Sequence, residues 1–222
     1  MDNHGIKHFS TGDGSSTLYS ERHKALYHSQ NGAIAESEHI FIHAGFNAID
    51  LLSINVLEVG FGTGLNAALT AYESLQRKLN TNYHAIELYP LAKEEYQLLN
   101  YSRVLKPEVA TMWTDVCALP WNQEGKLNDS FIIEKSSVDF TTWHPNRKYD
   151  LVYFDAFAPD DQPEMWEEKH FQNISNAMNK GGILVTYSVK GIVKERLRAA
   201  GFQLERLPGP PGKNHMLRAL KL

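Results

Sequence analysis

The sequence predicts an α/β fold with a mostly parallel sheet of seven strands. Short apolar runs typical of buried strands alternate with segments in which apolar residues recur at helical spacing. A glycine cluster follows the first of these runs, where a strand would give way to a helix. The last two runs are separated by a turn-rich stretch instead of a helix, so we expect them to pair as an antiparallel edge.

The seven predicted strands occupy, in chain order, residues 55–59, 83–88, 109–113, 149–154, 183–187, 202–206 and 215–220. The predicted helices occupy residues 65–75, 91–100, 163–178 and 192–200. Pro163 suits the first turn of the third helix, because a helix needs no backbone N–H there. Gly201 suits the end of the fourth helix, where the chain has to leave helical geometry.

Residues 1–50 are predicted to form a small N-terminal extension, and residues 51–222 the main domain. In the extension we expect a strand pair at 6–9 and 17–20 and a helix over 34–49. Residues 122–148 interrupt the alternation of strands and helices. Their segment FIIEKSSVDF reads as a hairpin or as the strand of an insertion, and we predict an insertion there.

Composition is that of a globular protein. Apolar residues make up 42% of the 222 residues, which is enough for a sizeable core. No apolar run approaches the roughly 18 residues of a membrane span, and the N-terminus lacks the apolar segment of a secretory signal. Cys117 has no second cysteine to pair with, and the histidines are scattered. We therefore expect a cytoplasmic protein without a metal site.

Charge is unevenly distributed along the chain. The net charge is −4, yet residues 178–222 contain nine lysines and arginines and two glutamates, a net of +7. The remainder of the chain therefore carries −11. A positive end of this kind attracts phosphate groups, although an uneven solvated surface explains the same numbers.

The strongest local motif is the glycine cluster in LEVGFGTGLN. Gly60, Gly62 and Gly64 lie between a predicted strand and a predicted helix, where glycines allow a tight turn and close approach of a ligand. Glu58 precedes the first glycine by two residues. An acid at that position suits a ligand with positive charge better than a pyrophosphate, which disfavours a nicotinamide-dependent oxidoreductase.

Two further acids follow the next two predicted strands. Glu87 ends the second strand, a position that typically binds ribose hydroxyls, and Asp115 follows the third, within reach of an adenine amino group. Three carboxylates at the carboxyl ends of successive strands converge on one crevice. Together they indicate a nucleoside with a cationic arm, S-adenosylmethionine; the alternative is that Glu58 and Glu87 are solvated strand ends.

The fourth strand ends in the loop Asp-Ala-Phe-Ala-Pro. Asp155 follows an apolar run, so its carboxylate is predicted at the floor of the same crevice, where it could hold an acceptor amine and accept its proton. Methyl transfer from a sulfonium needs a neutral amine aimed at the methyl carbon, so positioning is the main contribution. Phe157 and Trp166 could stack on a planar base, or could be ordinary core residues. Asp155 could also be a simple turn residue.

Four segments carry a family resemblance: LEVGFGTGLN, DAFAPDDQPEMW, GGILVTYSVKGIVKERLRAAGF and PGPPGKNHML. In this order they resemble the methyltransferase domain of the bacterial tRNA 5-methylaminomethyl-2-thiouridine modifying enzymes, from about residue 15 to the end. The resemblance implies a Rossmann-like class I fold that depends on S-adenosylmethionine. It also implies methylation of the aminomethyl group on C5 of wobble uridine 34 in tRNA.

The resemblance implies roles for eight residues, and the residue patterns add the others named here; the eight are Asn31, Gly32, Gly60, Gly62, Gly64, Glu87, Asp115 and Asp155. Asp155 would lie at the site of methyl transfer. The residues expected to bind the cofactor are Glu58, Gly60, Gly62, Gly64, Asn66, Glu87 and Asp115. The residues expected on the substrate side are Asn31, Gly32, Phe157, Pro159, Lys190 and Lys213.

The resemblance is to a standalone form, without the FAD-dependent oxidase that the bifunctional members carry. The oxidase step is then expected either to be performed elsewhere, by a functional partner that supplies the aminomethyl precursor, or to be unnecessary. The tail at Lys213 is less basic than in some relatives. Two other functions stay open at this point: methylation of a small amine, and a methyltransferase-like module that binds tRNA without catalysis.

Overall fold

The structure is a computed structural model that describes residues 5–222. Its strands are β1 Ile6–Ser10, β2 Ser16–Ser20, β3 Ala25–Leu26, β4 Ser53–Val59, β5 Asn80–Glu87, β6 Gln123–Asn128, β7 Phe131–Ser137, β8 Tyr149–Phe154, β9 Met178–Thr186, β10 Phe202–Pro208 and β11 His215–Lys221. Its α-helices are α1 Ala33–Ser37, α2 Leu65–Arg77, α3 Lys93–Tyr96, α4 Tyr101–Val104, α5 Pro107–Ala118, α6 Glu168–Ala177 and α7 Gly191–Ala199. A π-helical stretch, Glu38–His43, continues α1, and 3-10 turns occupy Phe46–Ala48 and Pro163–Trp166.

The central sheet has eight strands in the order β10-β11-β9-β8-β4-β5-β7-β6. The five strands from β9 to β7 run parallel, and β6 at one edge and the β10–β11 hairpin at the other are antiparallel. The predicted mostly parallel sheet and antiparallel edge are therefore confirmed, with β6 as an additional strand. Chain order reverses between β4 and β8, and such a reversal opens a ligand crevice at the carboxyl ends of the strands.

The prediction of a strand at 109–113 is wrong, because this segment lies within helix α5. Pro107 occupies the first turn of α5. Val109, Trp113 and Val116 are buried on one side of the helix, at the three- and four-residue spacing that brings side chains to the same face. The helical period of the apolar residues thus outweighs the β-branched composition of the run.

The prediction of an insertion at 122–148 is also wrong, because this segment supplies the third parallel strand. β7 pairs with β5 in parallel, from Thr81 opposite Phe131 to Glu87 opposite Ser137. β6 forms an antiparallel hairpin with β7 and covers its outer edge. Phe131 and Ile133 are buried in the core, so β7 is an integral part of the sheet.

The N-terminal residues pack onto the same core as the sheet. β1, β2 and β3 form a small antiparallel sheet, close to the predicted strand pair, and a helix follows near the predicted position. Leu18, Phe41 and Phe46 share one hydrophobic cluster with Ile54 and Tyr153 of the central sheet. The first four residues of the predicted extension lie outside the described residues, and the domain boundary at residue 50 stays a prediction.

Two hydrophobic clusters cover the two faces of the central sheet. One includes Leu65 of α2 and Trp113 of α5, and the other includes Phe171 of α6 and Leu197 of α7. Helices cover both faces of the parallel strands, and the carboxyl ends of these strands remain uncovered by helices. In the part of the chain from residue 5 onward, no helix has the length and apolar character to cross a membrane.

Candidate active site

A cavity of about 540 Å³ lies at the carboxyl ends of the parallel strands. One half of its wall includes Gly60, Gly62, Glu87, Leu88, Asp139 and Thr141, which follow β4, end β5 or follow β7. The other half includes His28, Glu36, Asp155, Phe157, Tyr187 and Lys213, from the N-terminal region, the ends of β8 and β9, and the β10–β11 turn. We call these the glycine half and the acceptor half. Both open into one continuous space.

The glycine turn is shaped by close contact with its neighbours. Gly60 has a φ of +92°, and a Cβ there would lie 2.6 Å from the Asp155 carbonyl oxygen. Gly62 has a φ of +49°, and a Cβ there would lie 3.0 Å from the Tyr27 ring. Both positions favour glycine through backbone conformation and space alike. Gly64, with a φ of +74°, directly precedes helix α2.

Glu87 stands at the end of β5, as predicted, and its carboxylate supports the glycine turn. One oxygen accepts a hydrogen bond from the Gly62 N–H at 3.1 Å, and the other accepts one from the Tyr89 N–H at 3.0 Å. Burial raises the pKa of Glu87, although these backbone donors oppose the shift. The carboxylate retains lone pairs that can accept further hydrogen bonds from hydroxyl groups in the cavity.

Glu58 and Asn66 lie beneath the cavity and not on its wall. Glu58 is completely buried, and within the described residues neither of its carboxylate oxygens has a hydrogen-bond partner. Burial raises the pKa of Glu58 well above its usual range, and the charge of Asp155 adds to this effect. The Asn66 amide donates to Asp155 Oδ2 at 2.9 Å. Asn66 therefore positions Asp155. Because Asn66 does not line the cavity, no contact in the structure supports its predicted role in binding the cofactor.

The prediction that Asp115 reaches the cofactor is wrong. Asp115 lies on helix α5, is exposed, and does not line the cavity. Asp139 takes its place, because it follows β7, the true third parallel strand, and lines the glycine half. Asp139 Oδ1 accepts hydrogen bonds from the Thr141 N–H at 2.8 Å and from the Thr141 hydroxyl at 2.7 Å. The sequence does contain a signal for Asp139, because this acid follows directly after an apolar strand. The signal was missed because the third strand was predicted at 109–113.

Asp155 lies in the acceptor half, next to the glycine turn. Its backbone N–H donates to the Val59 carbonyl at 2.9 Å, which fixes the end of β8 to the end of β4. Burial raises the pKa of Asp155 well above its usual range, and the nearby Glu36 charge raises it further. The Asn66 hydrogen bond and the charge of Lys213 oppose these effects. A carboxyl group of this kind can exchange a proton closer to neutral pH than an exposed aspartate.

Aromatic rings form the mouth of the acceptor half. Phe157 lines the cavity and stacks on His23, with ring centroids 4.5 Å apart and planes at 22°. The Tyr27 ring meets Phe157 edge-on, with centroids 5.0 Å apart. Trp166 is fully buried and donates from Nε1 to the Phe157 carbonyl at 2.7 Å, so it supports the loop from below. Of the two aromatic candidates for stacking, only Phe157 faces the cavity.

The remaining predicted substrate-side residues are distributed around the acceptor half. Lys213 lines it, whereas Asn31, Gly32, Pro159 and Lys190 are absent from its wall. Asn31 lies beside the turn that contains Gly212, and Lys190 forms an ion pair with Asp160. Besides Asp139, sequence reasoning missed several residues of the wall because they come from segments far apart in the chain, among them Tyr27, His28, Glu36 and Tyr187.

The glycine half fits S-adenosylmethionine on the chemistry of its own residues. The turn leaves open the space that side chains at Gly60 and Gly62 would fill. Glu87 offers carboxylate oxygens of the kind that bind ribose hydroxyls, and Asp139 offers an acceptor for an amino group. The cavity contains more acids than bases, which suits a ligand with a cationic sulfonium.

Comparison with known proteins agrees with this fit. Residues 122–222 match a family model described as S-adenosyl-L-methionine-dependent methyltransferase. The chain is 32% identical over 216 residues to the tRNA 5-methylaminomethyl-2-thiouridine biosynthesis bifunctional protein MnmC of Leptospira interrogans, with 90% of this chain and 33% of that protein covered. It is 30% identical over 217 residues to the protein of the same name from Cupriavidus metallidurans, with 90% and 32% covered.

The chain is similar to the MnmC proteins over this span. It spans about a third of the length of these curated relatives. The crystal structure of MNMC2 from Aquifex aeolicus superimposes on it with a TM-score of 0.81 and 23% identity, and covers 100% of this chain and 71% of that one. The resemblance, the methyltransferase fold and S-adenosylmethionine as the cofactor of the matched family are thereby confirmed.

Replacement of Asp139 should weaken cofactor binding, whereas replacement of Asp115 should not. In Asp139→Ala the cavity loses an acceptor and the Thr141 donors lose their partner, so we expect the Kd for S-adenosylmethionine to rise on the order of tenfold. Isothermal titration calorimetry measures this constant directly. Asp115→Ala is the matched control on the exposed face of α5, and a larger loss in that variant would contradict the assignment.

Glu58→Gln should stabilise the cofactor-free protein increasingly as the pH rises. Unfolded Glu58 loses its proton near its ordinary pKa of 4.5, whereas the folded protein keeps that proton to higher pH. The stability that protonated Glu58 contributes is therefore lost as the pH rises toward the pKa of the folded state. We expect the difference in unfolding free energy between variant and wild type to grow by up to about 1.4 kcal/mol per pH unit.

Urea unfolding of both proteins at about pH 5 and about pH 7 measures this difference. Glu124→Gln serves as a control, because Glu124 is exposed on β6 and its replacement should leave the pH dependence unchanged. A difference between Glu58→Gln and wild type that stays constant with pH would show that Glu58 is ionised in the folded protein.

Proposed function

We propose that the chain methylates the aminomethyl group on C5 of the wobble uridine in tRNA, with S-adenosylmethionine as the methyl donor. One observation carries the proposal: Asp155 lies where the glycine half meets the acceptor half, in contact with Gly60. The MnmC relatives carry the name of a 5-methylaminomethyl-2-thiouridine biosynthesis protein, and that nucleoside contains a methylated amine. The proposed reaction therefore agrees both with the residues of the cavity and with the nucleoside in the name of the relatives.

Asp155 has the properties that an acceptor amine requires. Asn66 occupies Asp155 Oδ2, and within the described residues no side chain donates to Oδ1, which leaves that oxygen for a ligand. Bound S-adenosylmethionine supplies an electrophilic methyl group on a sulfonium. The amine nitrogen has to lose a proton to expose its lone pair, and the raised pKa of Asp155 lets its carboxylate accept that proton.

The mouth of the acceptor half suits a nucleobase. Phe157, His23 and Tyr27 line the same cavity as Asp155, and proteins that recognise unpaired bases typically stack them on such rings. A wobble uridine turned out of the anticodon loop would place its ring here and its C5 substituent toward Asp155. This arrangement favours a nucleoside over a small aliphatic amine, which has no ring to stack.

The proposal includes partners and location. tRNA is the macromolecular substrate, and a reaction that leaves a primary aminomethyl group on the base has to precede the methylation. A single cysteine fits a reducing compartment, so we place the activity in the cytoplasm. The C-terminal region with its excess of basic residues is the candidate contact for phosphates.

Asp155→Asn should separate binding from turnover. The amide keeps the size of the carboxylate but cannot accept the amine proton, so we expect kcat to fall on the order of 100- to 10,000-fold. Affinity for S-adenosylmethionine should change little, and calorimetry on the same preparation checks this. Asp129→Asn, in the exposed β6–β7 turn, is the matched control. Equal losses of cofactor affinity and turnover in Asp155→Asn would mean that Asp155 is a structural residue.

Analysis of tRNA nucleosides tests the acceptor itself. The purified protein should convert tRNA that bears 5-aminomethyl-(2-thio)uridine at the wobble position to the methylaminomethyl nucleoside when S-adenosylmethionine is present. Mass spectrometry of the digested tRNA detects the added methyl group, and tRNA with unmodified uridine at that position should gain none. Methylation of free small amines without any change in the tRNA would overturn the assignment of the acceptor.

A further inference from the structure

The acceptor half contains an ion pair between residues that are distant in sequence. Glu36 of α1 is only 6% exposed, and its Oε2 accepts a hydrogen bond from the Ser29 N–H at 2.8 Å. Its Oε1 accepts one from Lys213 Nζ at 2.5 Å. Lys213 belongs to the turn between β10 and β11, so the pair joins the N-terminal region to the last hairpin across the cavity.

Lys213 is held on a second side by an aromatic ring. Its Nζ lies 4.2 Å from the centroid of the Tyr187 ring, a distance at which the π-system attracts a cation. The Tyr187 hydroxyl donates to the Ala156 carbonyl at 2.7 Å, which fixes this ring beside the Asp155 loop. Lys213 is therefore oriented toward Glu36 and the cavity.

The charges of this cluster balance while Asp155 is protonated, the form that burial favours, and not once Asp155 is ionised. Asp155 and Glu36 are two acids on the wall of the acceptor half. Among the described residues, Lys213 is the one lysine or arginine that lines the cavity. His28 lies on the same wall but is buried, bonded to the Thr63 hydroxyl at 2.8 Å, and has a pKa of about 4, so it is neutral at pH 7. With both acids ionised, the cluster is one positive charge short.

We propose that Glu36 is a substrate-binding residue that, together with Asp155, binds the acceptor as a protonated primary amine. The inference rests on the proposed function and deepens it, because it names the chemical class that the acceptor half selects. An alkylammonium supplies the missing charge, whereas a hydroxyl group in the same place supplies none. Lys213 has a different role: it occupies Glu36 Oε1 and keeps this buried carboxylate paired when no acceptor is present.

The proton transfer is balanced. A proton moves from the ammonium nitrogen to the Asp155 carboxylate; the N–H bond breaks, an O–H bond forms, and the electron pair stays on nitrogen. The neutral primary amine keeps two N–H groups, one of which can donate to Glu36, and its lone pair has to turn away from the new Asp155 O–H group before it can attack the methyl carbon.

Binding to two matched RNAs tests the proposal. The probes are identical anticodon stem-loops with 5-aminomethyluridine or 5-hydroxymethyluridine at the wobble position, which differ in charge but hardly in size. Fluorescence anisotropy measures both Kd values with S-adenosylhomocysteine present, at one pH and one salt concentration, so that no methyl group is transferred and the phosphate contribution is shared. The ratio of the two Kd values is the preference for the amine.

The variants should change this preference in different directions. Wild type should prefer the aminomethyl RNA by about tenfold or more, the effect of a charge-assisted hydrogen bond. Glu36→Gln should reduce the preference to within about threefold of no preference. Lys213→Met should keep or increase it, because the competing cation is gone. An unchanged preference in Glu36→Gln, or an equal loss in both variants, would overturn the proposal.

A double variant and the nucleoside assay distinguish an error in the role of Glu36 from an error in the proposed function. If Glu36→Gln does not fold, the double variant Glu36→Gln/Lys213→Met replaces the ion pair by a neutral pair, and it should also lose the preference. If wild type converts aminomethyl tRNA in the nucleoside assay while the Glu36 variants keep the preference, the role of Glu36 alone is wrong. If wild type shows neither conversion nor preference, the proposed function itself is wrong.

Discussion

The whole site depends on the contact between the glycine turn after β4 and the backbone at the end of β8. A Cβ at Gly60 would lie 2.6 Å from the Asp155 carbonyl oxygen, so only glycine lets the two strand ends come this close. Gly60 donates its N–H to the Ile86 carbonyl at 3.0 Å, and Asp155 donates its own to Val59 at 2.9 Å. The contact makes the two halves of the cavity immediate neighbours, and a transfer between two bound groups requires such proximity.

Buried carboxylates give this contact its electrostatic character. Burial raises the pKa of Glu58, of Glu87 and of Asp155, because a low-dielectric interior disfavours the charged form. Each of these acids would be stabilised in its ionised form by a nearby positive charge. A sulfonium in the glycine half and an ammonium in the acceptor half both provide one. Affinity for cationic ligands is therefore a consequence of the same burial that makes these acids costly in the free protein.

Sequence reasoning located the strands wherever a buried apolar run stood alone, as at β4, β5 and β8. It failed at 109–113, where the apolar run belongs to an amphipathic helix. Because of this error, Asp115 was predicted at the cavity in place of Asp139. β7 alternates buried and partly buried residues, so it resembled an isolated hairpin instead of a strand within a parallel sheet. Glu36 carries no local signal at all, because its partner lies 177 residues away and only the folded chain brings the two together.

Fewer basic side chains of the C-terminal region, residues 178–222, are available to a ligand than its net charge of +7 suggests. Ion pairs with Asp160, Glu36 and Glu205 engage Lys190, Lys213 and Arg218. Arg196 and Lys221 donate to the Trp166 carbonyl and the Ser175 hydroxyl. Four basic residues of the region form neither an ion pair nor such a hydrogen bond within residues 5–222: Lys180, Lys194, Arg198 and Arg206. Each neutralised phosphate adds one step of salt dependence to binding, so if this region contacts tRNA as proposed, most of its contribution should come from about four residues, and not nine.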